Sequence, residues 1–349
     1  MEEKPVGIGL IGAGRIGRLH ARHAARRVPG AELRAIADPD AEARQACVGA
    51  LGSTEPDLVG RPTRLFERTD LDAVLICSPT STHVELIEGA AAAGLDVFCE
   101  KPIDPDPARI VDLLRSVADR DVKLQVGFNR RFDASYARVR RAVEEGEIGE
   151  PHLLHLVSRD PEPPSIAYLE QSGGLFLDMS IHDFDMARFL VGSEVSSVFV
   201  RAEVRIDPAI EELGDVDTAC TMLTFEDGTI GTIDNSRRAV YGYDQRAEVF
   251  GSGGSVETEN RYPNTATVRD DRSVRRDRPE RFFLERYAES YLEELRAFVD
   301  AVRGERLVPV GPADGLWPVL MAKAAWRSLE ENRPVDPREQ LPSSASDLL

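Results

Sequence analysis

Val6-Gly-Ile-Gly-Leu-Ile-Gly-Ala-Gly-Arg-Ile-Gly17 joins a short apolar run to three closely spaced glycines, and a helical pattern follows from Arg15 to about Arg27. A Gly-x-Gly-x-x-Gly motif is weak evidence by itself, but here a predicted strand precedes it and a helix follows it. The glycines allow a tight turn and a close backbone approach to a pyrophosphate, and the helix N-terminus offers N–H groups to phosphates. The sequence therefore predicts a dinucleotide site in this turn, with the candidate residues Gly12, Gly14, Arg15, Ile16 and Gly17.

The next predicted strand, 32–37, ends at Asp38. This acid lies about 20 residues past the glycines, where a dinucleotide-binding fold places the carboxylate that binds the adenosine ribose. A carboxylate repels a 2′-phosphate, so NAD is favoured over NADP. A simple turn residue before Pro39 is the alternative interpretation, and Arg15 and Arg44 leave NADP open.

Strands and helices continue to alternate up to residue 127, which predicts right-handed crossovers and a parallel sheet. Ligands collect at the carboxyl ends of such strands. Polar residues that follow strand ends are expected to meet in one crevice: Ser78, Thr80, Lys101 and Asn129. A lysine beside Glu100 is also compatible with a solvated loop. However, Pro102 restricts Lys101 to an extended backbone, and a cation at a strand end can stabilise a developing alkoxide.

A second chemical motif lies in Gly173-Gly-Leu-Phe-Leu-Asp-Met-Ser-Ile-His-Asp-Phe-Asp185, whose apolar spacing predicts a helix from Asp178 to Leu190. Asp178 and His182 are four residues apart, so they would share one helix face. A carboxylate beside an imidazole supports its charged form, as a general base near neutral pH requires. The alternative is a surface helix with an acidic start. We expect no metal site here.

The second half reads differently, as an α+β region with sequential strands and short turns, which predicts an open, mostly antiparallel sheet. The predicted domains are 1–127 for cofactor binding and 128–334 for substrate binding and oligomerisation, with a tail at 335–349. Two late helices, 287–302 and 313–331, are expected to pack back on the first domain. The charged segment 261–281 is predicted to be an exposed loop.

Composition limits the class of protein. The 349 residues suit about two domains, and 42% hydrophobic with 30% charged residues is typical of globular proteins. A formal charge of −18 argues against nucleic acid and anionic membranes as partners. The four cysteines show no paired spacing that would indicate disulfides or zinc. The start of the sequence lacks a basic leader, and no apolar run reaches the ~18 residues of a membrane span, so a cytoplasmic protein is expected.

Four motifs occur together in this order: Gly12-x-Gly14-x-x-Gly17, Ser78-Pro79-Thr80 with His83, Glu100-Lys101-Pro102, and Gly173-Gly174-x-x-x-Asp178-x-x-x-His182. With this combination the chain resembles the Gfo/Idh/MocA oxidoreductases, which act on sugars and cyclitols with NAD(P), over nearly its whole length. Further strings resemble inositol 2-dehydrogenases: Gly127-Phe-Asn-Arg-Arg-Phe-Asp133, Ser158-Arg-Asp-Pro161, Ile181-His-Asp-Phe-Asp-Met-Ala-Arg188 and Tyr241-Gly-Tyr-Asp244.

The resemblance implies catalytic roles for Lys101, Asp178 and His182. It implies polyol binding by these three and by Asn129, Arg131, Asp160 and Tyr243. The candidate cofactor residues beyond the glycine-rich turn are Asp38, Ser78, Pro79, Thr80, His83, Glu100 and Lys101. Members of the family commonly form dimers or tetramers, so a homo-oligomer, a homotetramer among the options, is expected.

Three hypotheses follow. The first is NAD-dependent oxidation of myo-inositol to 2-keto-myo-inositol, with His182 as base, Asp178 as its support and Lys101 on the reacting oxygen. The second is the same chemistry on another sugar or inositol isomer. The third, from a different class, is a non-catalytic NAD(P)-binding sensor, and the three intact catalytic residues speak against it.

Overall fold

The computed structural model of this chain describes residues 4–52 and 54–345. These residues form two compact units, each assembled from segments that are distant in the sequence. The first unit takes in the described residues of Met1–Asn129, Glu289–Leu316 and Pro342–Leu349, and the second takes in Arg130–Ala288 and Trp317–Leu341. The sequence-based segments 1–127, 128–334 and 335–349 are consecutive instead, and their assignment to separate functions stays a prediction.

The first unit contains a sheet of six parallel strands in the order β3-β2-β1-β4-β5-β6. The strands are β1 (Val6–Ile11), β2 (Ala31–Ala37), β3 (Asp57–Val59), β4 (Ala73–Ile76), β5 (Asp96–Glu100) and β6 (Leu124–Gly127). The helices between them are α1 (Arg15–Arg26), α2 (Ala41–Gly49), α3 (His83–Ala92) and α4 (Pro107–Ala118). The strand order reverses between β1 and β4, which is the point where doubly wound folds bind dinucleotides. The predicted parallel α/β first half is confirmed.

The second unit contains another six-stranded sheet, in the order β12-β11-β7-β10-β9-β8. Its strands are β7 (Pro151–Arg159), β8 (Val195–Glu203), β9 (Thr218–Phe225), β10 (Ile230–Ser236), β11 (Asp244–Gly251) and β12 (Gly254–Thr258). Neighbouring strands are antiparallel except for β7 and β10, which run parallel. The predicted, mostly antiparallel second sheet is confirmed, with this one parallel pair added.

Helices and one hairpin complete the chain. The remaining helices are α5 (Ala134–Glu144), α6 (Ile166–Ser172), α7 (Ile181–Val191), α8 (Pro208–Glu212), α9 (Phe283–Arg286), α10 (Ala288–Val302) and α11 (Pro312–Glu331). The segment predicted to be an exposed loop contains a two-stranded hairpin, β13 (Thr267–Arg269) and β14 (Val274–Arg276). That prediction was wrong in part, because cross-strand pairing forms a hairpin even in a highly charged segment.

The core of the first unit packs around its sheet. Strand β1 is buried at every position, as expected for a central parallel strand covered on both faces. Helix α10 contributes Leu295 and Phe298, and Phe298 meets Phe98 of β5 edge to face with ring centroids 5.9 Å apart. A helix from the last quarter of the chain therefore belongs to the core that supports the glycine-rich turn.

The sheet of the second unit has one covered and one open face. Alternate residues of β9 and β10 are buried, which is the pattern of an antiparallel sheet with a single core side. Large apolar residues on the other face stay exposed and sit beside one another across β10, β7 and β11, where Ile230 pairs with Leu153 and Leu153 pairs with Phe250. Within the described ranges, no helix combines the length and the apolar character needed to cross a bilayer.

Candidate active site

The glycine-rich turn after β1 has the shape that a dinucleotide requires. Gly12 has a φ of +95°, and a Cβ there would lie 2.6 Å from the backbone of Cys77. A Cβ on Gly17 would lie 1.9 Å from the carbonyl oxygen of Gly12, whereas a Cβ on Gly14 would meet nothing within 4 Å. Gly12 and Gly17 are therefore needed to close the turn, and the space beside Gly14 is open to a ligand. The turn fits a bound pyrophosphate.

Asp38 is held against this turn at the end of β2. Its Oδ2 accepts a hydrogen bond from the Ala13 amide at 2.7 Å, and its Oδ1 accepts one from the Asp40 amide at 2.8 Å. The Arg44 guanidinium donates to the main-chain oxygen of Asp38. The carboxylate is thus fixed where ribose hydroxyls of NAD are bound in this type of fold, and Arg44 lies at the same strand end.

His83 joins two loops of the candidate cofactor site. Its Nδ1 lies 2.8 Å from the carbonyl oxygen of Pro102, and its Nε2 lies 2.9 Å from that of Ser78. Burial lowers the pKa of His83, although both carbonyl groups favour its charged form. Both ring nitrogens face main-chain carbonyl oxygens, so His83 holds the loops after β4 and β5 together, and its part in cofactor binding stays a prediction. Pro79 and Thr80, between β4 and His83, remain at least partly exposed to a ligand.

Glu100 and Lys101 end β5 with different surroundings. The Oε1 atom of Glu100 accepts a hydrogen bond from His20 Nε2 at 2.9 Å, and His20 is fully buried in α1. Glu294 adds a second carboxylate, and one side-chain nitrogen or oxygen atom from each of these three residues lies within 4.8 Å of the others. Lys101 is partly buried and precedes Pro102 through a cis peptide bond. Glu100 therefore ties the strand end that carries Lys101 to the helix behind the glycine-rich turn.

Asn129 follows β6 at the same edge of the parallel sheet as Ser78 and Lys101, which follow β4 and β5. The side chain is 2% exposed, and its Nδ2 has no hydrogen-bond partner among the residues that the structure describes. A buried amide group without a partner is costly. A ligand hydroxyl is the kind of acceptor that would satisfy it.

In the second unit, Asp178 lies in a single π-helical turn, Phe176–Ser180, that leads into α7. The predicted α-helix starting at Asp178 was wrong on this point. Such wide turns often occur at functional sites. The turn allows four of its five residues to face inward, and they are Phe176, Leu177, Met179 and Ser180. The predicted contact between Asp178 and His182 assumed regular helical spacing, and it stays a prediction.

Two side chains that the sequence did not single out hold the Asp178 carboxylate. The hydroxyl group of Tyr168 donates to Oδ1 at 2.8 Å, and Nη1 of Arg237 donates to Oδ2 at 3.1 Å. Arg237 is completely buried, while His182 is partly buried at the start of α7. The arrangement fixes the carboxylate four residues ahead of the candidate base and places a positive charge against it.

Asp183 is buried in an ion pair. Arg130 donates to its Oδ1 at 2.6 Å and Asn235 donates to its Oδ2 at 2.8 Å. Burial raises the pKa of Asp183, while Arg130 and Asn235 act in the opposite direction. Nη2 of Arg130 also lies 3.5 Å from the hydroxyl oxygen of Tyr243, a residue that is 6% exposed. Tyr243, a predicted polyol ligand, is therefore connected to this pair.

Arg131, another predicted polyol ligand, forms a two-pronged ion pair with Asp185. Its Nε lies 2.9 Å from Oδ2 and its Nη2 lies 2.6 Å from Oδ1. The guanidinium also lies 5.3 Å from the ring centroid of Phe189. This geometry ties Arg131, just before α5, to α7 within the second unit.

Asp160 directly follows β7. Its amide donates to the carbonyl oxygen of Ser236 at 2.9 Å, and its own carbonyl oxygen accepts from the Ala239 amide at 2.6 Å. Burial raises the pKa of its carboxyl group from 3.8 to about 6, Arg237 opposes that shift and Asp178 adds to it. Asp160 is therefore a carboxylate that is costly to ionise and lies in the electrostatic field of the Asp178–Arg237 pair.

The sequence missed Tyr168, Arg130 and Arg237 for different reasons. Arg130 stands beside Arg131, and the spacing gives no basis for choosing between two adjacent arginines. Tyr168 is on a short helix, ten residues before the carboxylate that it binds. Arg237 directly follows a strand, and the signal that would have found it is the rule that the carboxyl ends of parallel strands carry ligand-binding residues. Short turns predict an antiparallel sheet, to which this rule does not apply, whereas β10 in fact runs parallel to β7.

Two family models match the chain. Residues 6–128 match an oxidoreductase family with an NAD-binding Rossmann fold, and residues 136–257 match the Gfo/Idh/MocA C-terminal domain. Together the two models cover more than half of the chain, one after the other.

Named relatives agree with the family models. Myo-inositol 2-dehydrogenase of Thermotoga maritima is 46% identical over 328 residues, which is 94% of this chain and 97% of the relative. Inositol 2-dehydrogenase of Rhizobium meliloti is 45% identical over 331 residues, 95% and 98% of the two chains. A crystal structure of scyllo-inositol dehydrogenase from Lactobacillus casei with bound NAD(H) and scyllo-inositol has a TM-score of 0.89 at 32% identity, covering 96% of this chain and 99% of that one. The chain belongs to the Gfo/Idh/MocA family of NAD-binding oxidoreductases.

Proposed function

We propose that this chain is an inositol 2-dehydrogenase that oxidises myo-inositol to 2-keto-myo-inositol with NAD. Two relatives with inositol 2-dehydrogenase activity match it over more than nine-tenths of its length. The structural observation that carries the proposal is the Asp178 carboxylate, which Tyr168 and Arg237 hold in place just ahead of His182. A carboxylate held in a fixed orientation is the support that a histidine base requires.

The cofactor part of the proposal depends on the glycine-rich turn and Asp38. The open space beside Gly14 suits the pyrophosphate, and the fixed carboxylate of Asp38 suits the free ribose hydroxyls of NAD. When bound, NAD accepts the hydride from the carbon that carries the reacting hydroxyl group. A 2′-phosphate would meet the charge of Asp38, so NAD is the preferred cofactor. Arg44 at the same strand end leaves a smaller activity with NADP.

The proton chemistry is assigned to His182. In the proposed reaction its imidazole takes the proton of the hydroxyl group, and Asp178 stabilises the imidazolium that results. Lys101 is assigned to the same oxygen, where its ammonium group lowers the cost of the developing negative charge. Both assignments follow from residue chemistry and from the family to which the chain belongs.

The polyol is assigned to Asn129, Asp160 and Tyr243. Asn129 offers a buried donor that has no partner among the described residues, and Asp160 offers an acceptor whose ionisation is costly in the absence of hydrogen-bond donors. Arg131 was also a predicted polyol ligand, but its guanidinium is already held by Asp185, so we assign it to the support of α7. A site that makes several hydrogen bonds to its substrate discriminates against sugars that leave one of them unmade.

Scyllo-inositol is the second candidate substrate, because a structure with a TM-score of 0.89 to this chain belongs to an enzyme with that substrate bound. The two cyclitols differ only in the orientation of one hydroxyl group. They would therefore make largely the same contacts with donors and acceptors of the kind described above.

We also propose a cytoplasmic homo-oligomer, either a dimer or a tetramer. The exposed apolar residues Leu153, Ile230 and Phe250 lie side by side on the open face of the second sheet. Adjacent apolar side chains of this kind indicate a surface that is covered in the working protein. A cytoplasmic location gives the enzyme access to the cellular NAD pool.

The test is NADH formation, followed by absorbance, with myo-inositol, scyllo-inositol, glucose and xylose and with either NAD or NADP. We expect activity with myo-inositol and NAD. Activity with another sugar alone would discard the inositol assignment and keep the chemistry. Binding of NADH without turnover of any substrate, in either direction, would favour the sensor.

The histidine assignment has its own test. His182→Ala should lower kcat by roughly 10²- to 10⁴-fold, which is the usual contribution of a positioned base, and should leave NADH binding intact. His155→Ala is the matched control, because His155 is exposed on β7 and hydrogen-bonds Thr232. Turnover by His182→Ala equal to that of the control would refute the assignment.

A further inference from the structure

Arg237 is the largest side chain with essentially no exposure among the described residues. It follows β10, and the carbonyl group of Ser236 just before it accepts the Asp160 amide at 2.9 Å. The Arg237 amide donates to the carbonyl oxygen of Asp217 at 2.9 Å. Because β7 and β10 run parallel, Asp160 and Arg237 leave the sheet side by side at the carboxyl ends of their strands. This edge is where ligand-binding residues gather in parallel pairs.

The guanidinium of Arg237 lies between two carboxylates. Its Nη1 binds Asp178 Oδ2 at 3.1 Å, and its Nη2 lies 3.9 Å from Asp215 Oδ2. The other oxygen of Asp215 accepts the Leu175 amide at 2.9 Å, immediately before the π-helical turn that carries Asp178. Arg237 therefore holds the carboxylate of Asp178 directly, and through Asp215 it is linked to the backbone that presents Asp178.

Such an arrangement is expensive for the fold. Taking two charges out of water costs hydration free energy, which their mutual attraction barely offsets. In addition, both Nε and Nη2 of Arg237 lack a hydrogen-bond partner among the described residues. Each buried donor without a hydrogen bond lowers the stability of the fold by about 1–3 kcal/mol. An apolar side chain of similar size would fill the space at lower cost. The arginine at this position therefore points to a role beyond stability.

We propose that Arg237 is a positioning residue for the dehydrogenase reaction, acting through Asp178; this inference rests on the function proposed above. Removal of the guanidinium takes away the hydrogen bond to Oδ2 of Asp178 and the ion pair with Asp215. The Asp178 carboxylate can then rotate away from the orientation that Tyr168 and Arg237 give it together. In another orientation it supports the imidazolium of His182 less well.

The test compares R237A, R237K and R238A in the full-length protein with myo-inositol and NAD. R238A is the matched control. Arg238 is the next residue, its side chain is exposed, and its hydrogen bonds to Ser236 use main-chain atoms that the substitution keeps. Turnover is expressed per NADH-binding site, so that unfolded protein does not count. We expect kcat of R237A to fall roughly 10- to 100-fold, which is less than the roughly 10²- to 10⁴-fold contribution of the base itself, because His182 remains in place. The KM for NAD should stay within about twofold, and R238A should match the wild type.

Two further readouts separate positioning from structure. Guanidinium ion at concentrations that leave the wild type unchanged should restore R237A turnover in a saturable way, because it refills the cavity beside Asp178. R237K should keep its melting temperature and lose roughly 10-fold in kcat, since one ammonium group cannot hold two carboxylates as a planar guanidinium does. R237K also decides the matter if R237A does not fold. Wild-type kcat in folded R237A or R237K, while the wild type and R238A turn over myo-inositol, would overturn the role of Arg237 and leave the proposed function standing.

Discussion

The carboxyl group of Asp160 provides a stability experiment that needs no substrate. It lies beyond the end of β7, where burial raises its pKa from 3.8 to about 6. Arg237 reduces the shift and the charge of Asp178 increases it. Replacing the group by a neutral amide of the same shape, Asp160→Asn, removes the cost of ionising it in the folded protein.

The size and sign of the effect follow from linkage. Below about pH 3.8 the group is protonated in both states, so it costs nothing. Between 3.8 and about 6 the unfolded chain ionises while the folded protein keeps its proton, and the stability contributed by Asp160 falls as pH rises. Above about 6 both states are ionised and the penalty is constant. At about 1.4 kcal/mol per pKa unit, this penalty is about 3 kcal/mol.

Urea unfolding at several pH values measures this penalty. The gain in unfolding free energy of Asp160→Asn over the wild type should grow from about 1.5 kcal/mol near pH 5 to about 3 kcal/mol near pH 7.5. Asp121→Asn, at an exposed position, is the matched control and should show a difference near zero throughout. A gain for Asp160→Asn that is the same at both pH values, or a loss that grows with pH, would refute the electrostatic reasoning.

Two more predictions concern the cofactor and the buried ion pair. Asp38→Asn should lower kcat/KM for NAD by roughly 10-fold relative to NADP, because it removes the charge that repels a 2′-phosphate. Steady-state kinetics with both cofactors measures this effect. An unchanged ratio of kcat/KM for NAD to that for NADP would contradict it. Arg130→Met should lower the unfolding free energy by about 3–5 kcal/mol, because it leaves Asp183 charged and buried without its cation. Adding Asp183→Asn should restore part of that loss in urea unfolding, and full additivity of the two changes would show that the pair is not coupled.

The sequence was sufficient for the first unit because its signals are local. A buried parallel strand is a continuous apolar run, and a glycine or a strand-end polar residue marks where it stops. Val6–Ile11 and the glycines after it combine these signals within a dozen residues. The position of Asp38 relative to the turn also follows from chain length alone, since each βα unit has a nearly fixed size.

The second unit was predictable as a set of strands but not as a sheet. Short turns imply that consecutive strands pair in hairpins, which is true for β9 with β10 and for β11 with β12. The pairing of β7 with β10 joins residues that are 77 positions apart in sequence, which no local pattern encodes. Arg237 and Asp160 were not seen as neighbours for that reason. The π-helical turn was missed similarly, since it depends on how many of its side chains the core can accept.

The segment from Asp178 to Asp185 shows why sequence spacing alone does not distinguish a carboxylate that acts in the site from one that stabilises the helix. All three of its acidic residues form ion pairs with arginines: Asp178 with Arg237, Asp183 with Arg130, and Asp185 with Arg131. Helical spacing from His182 favours Asp178, but it does not show which partner holds each of the three carboxylates. The Asp183 and Asp185 side chains are 3% and 1% exposed, so their ion pairs serve to hold helix α7 in place. Asp178 keeps 14% exposure while its arginine has none, so the buried arginine orients a carboxylate that can still reach a ligand. We therefore expect substitution of Arg130 or Arg131 to act mainly on stability, and substitution of Arg237 to act mainly on turnover.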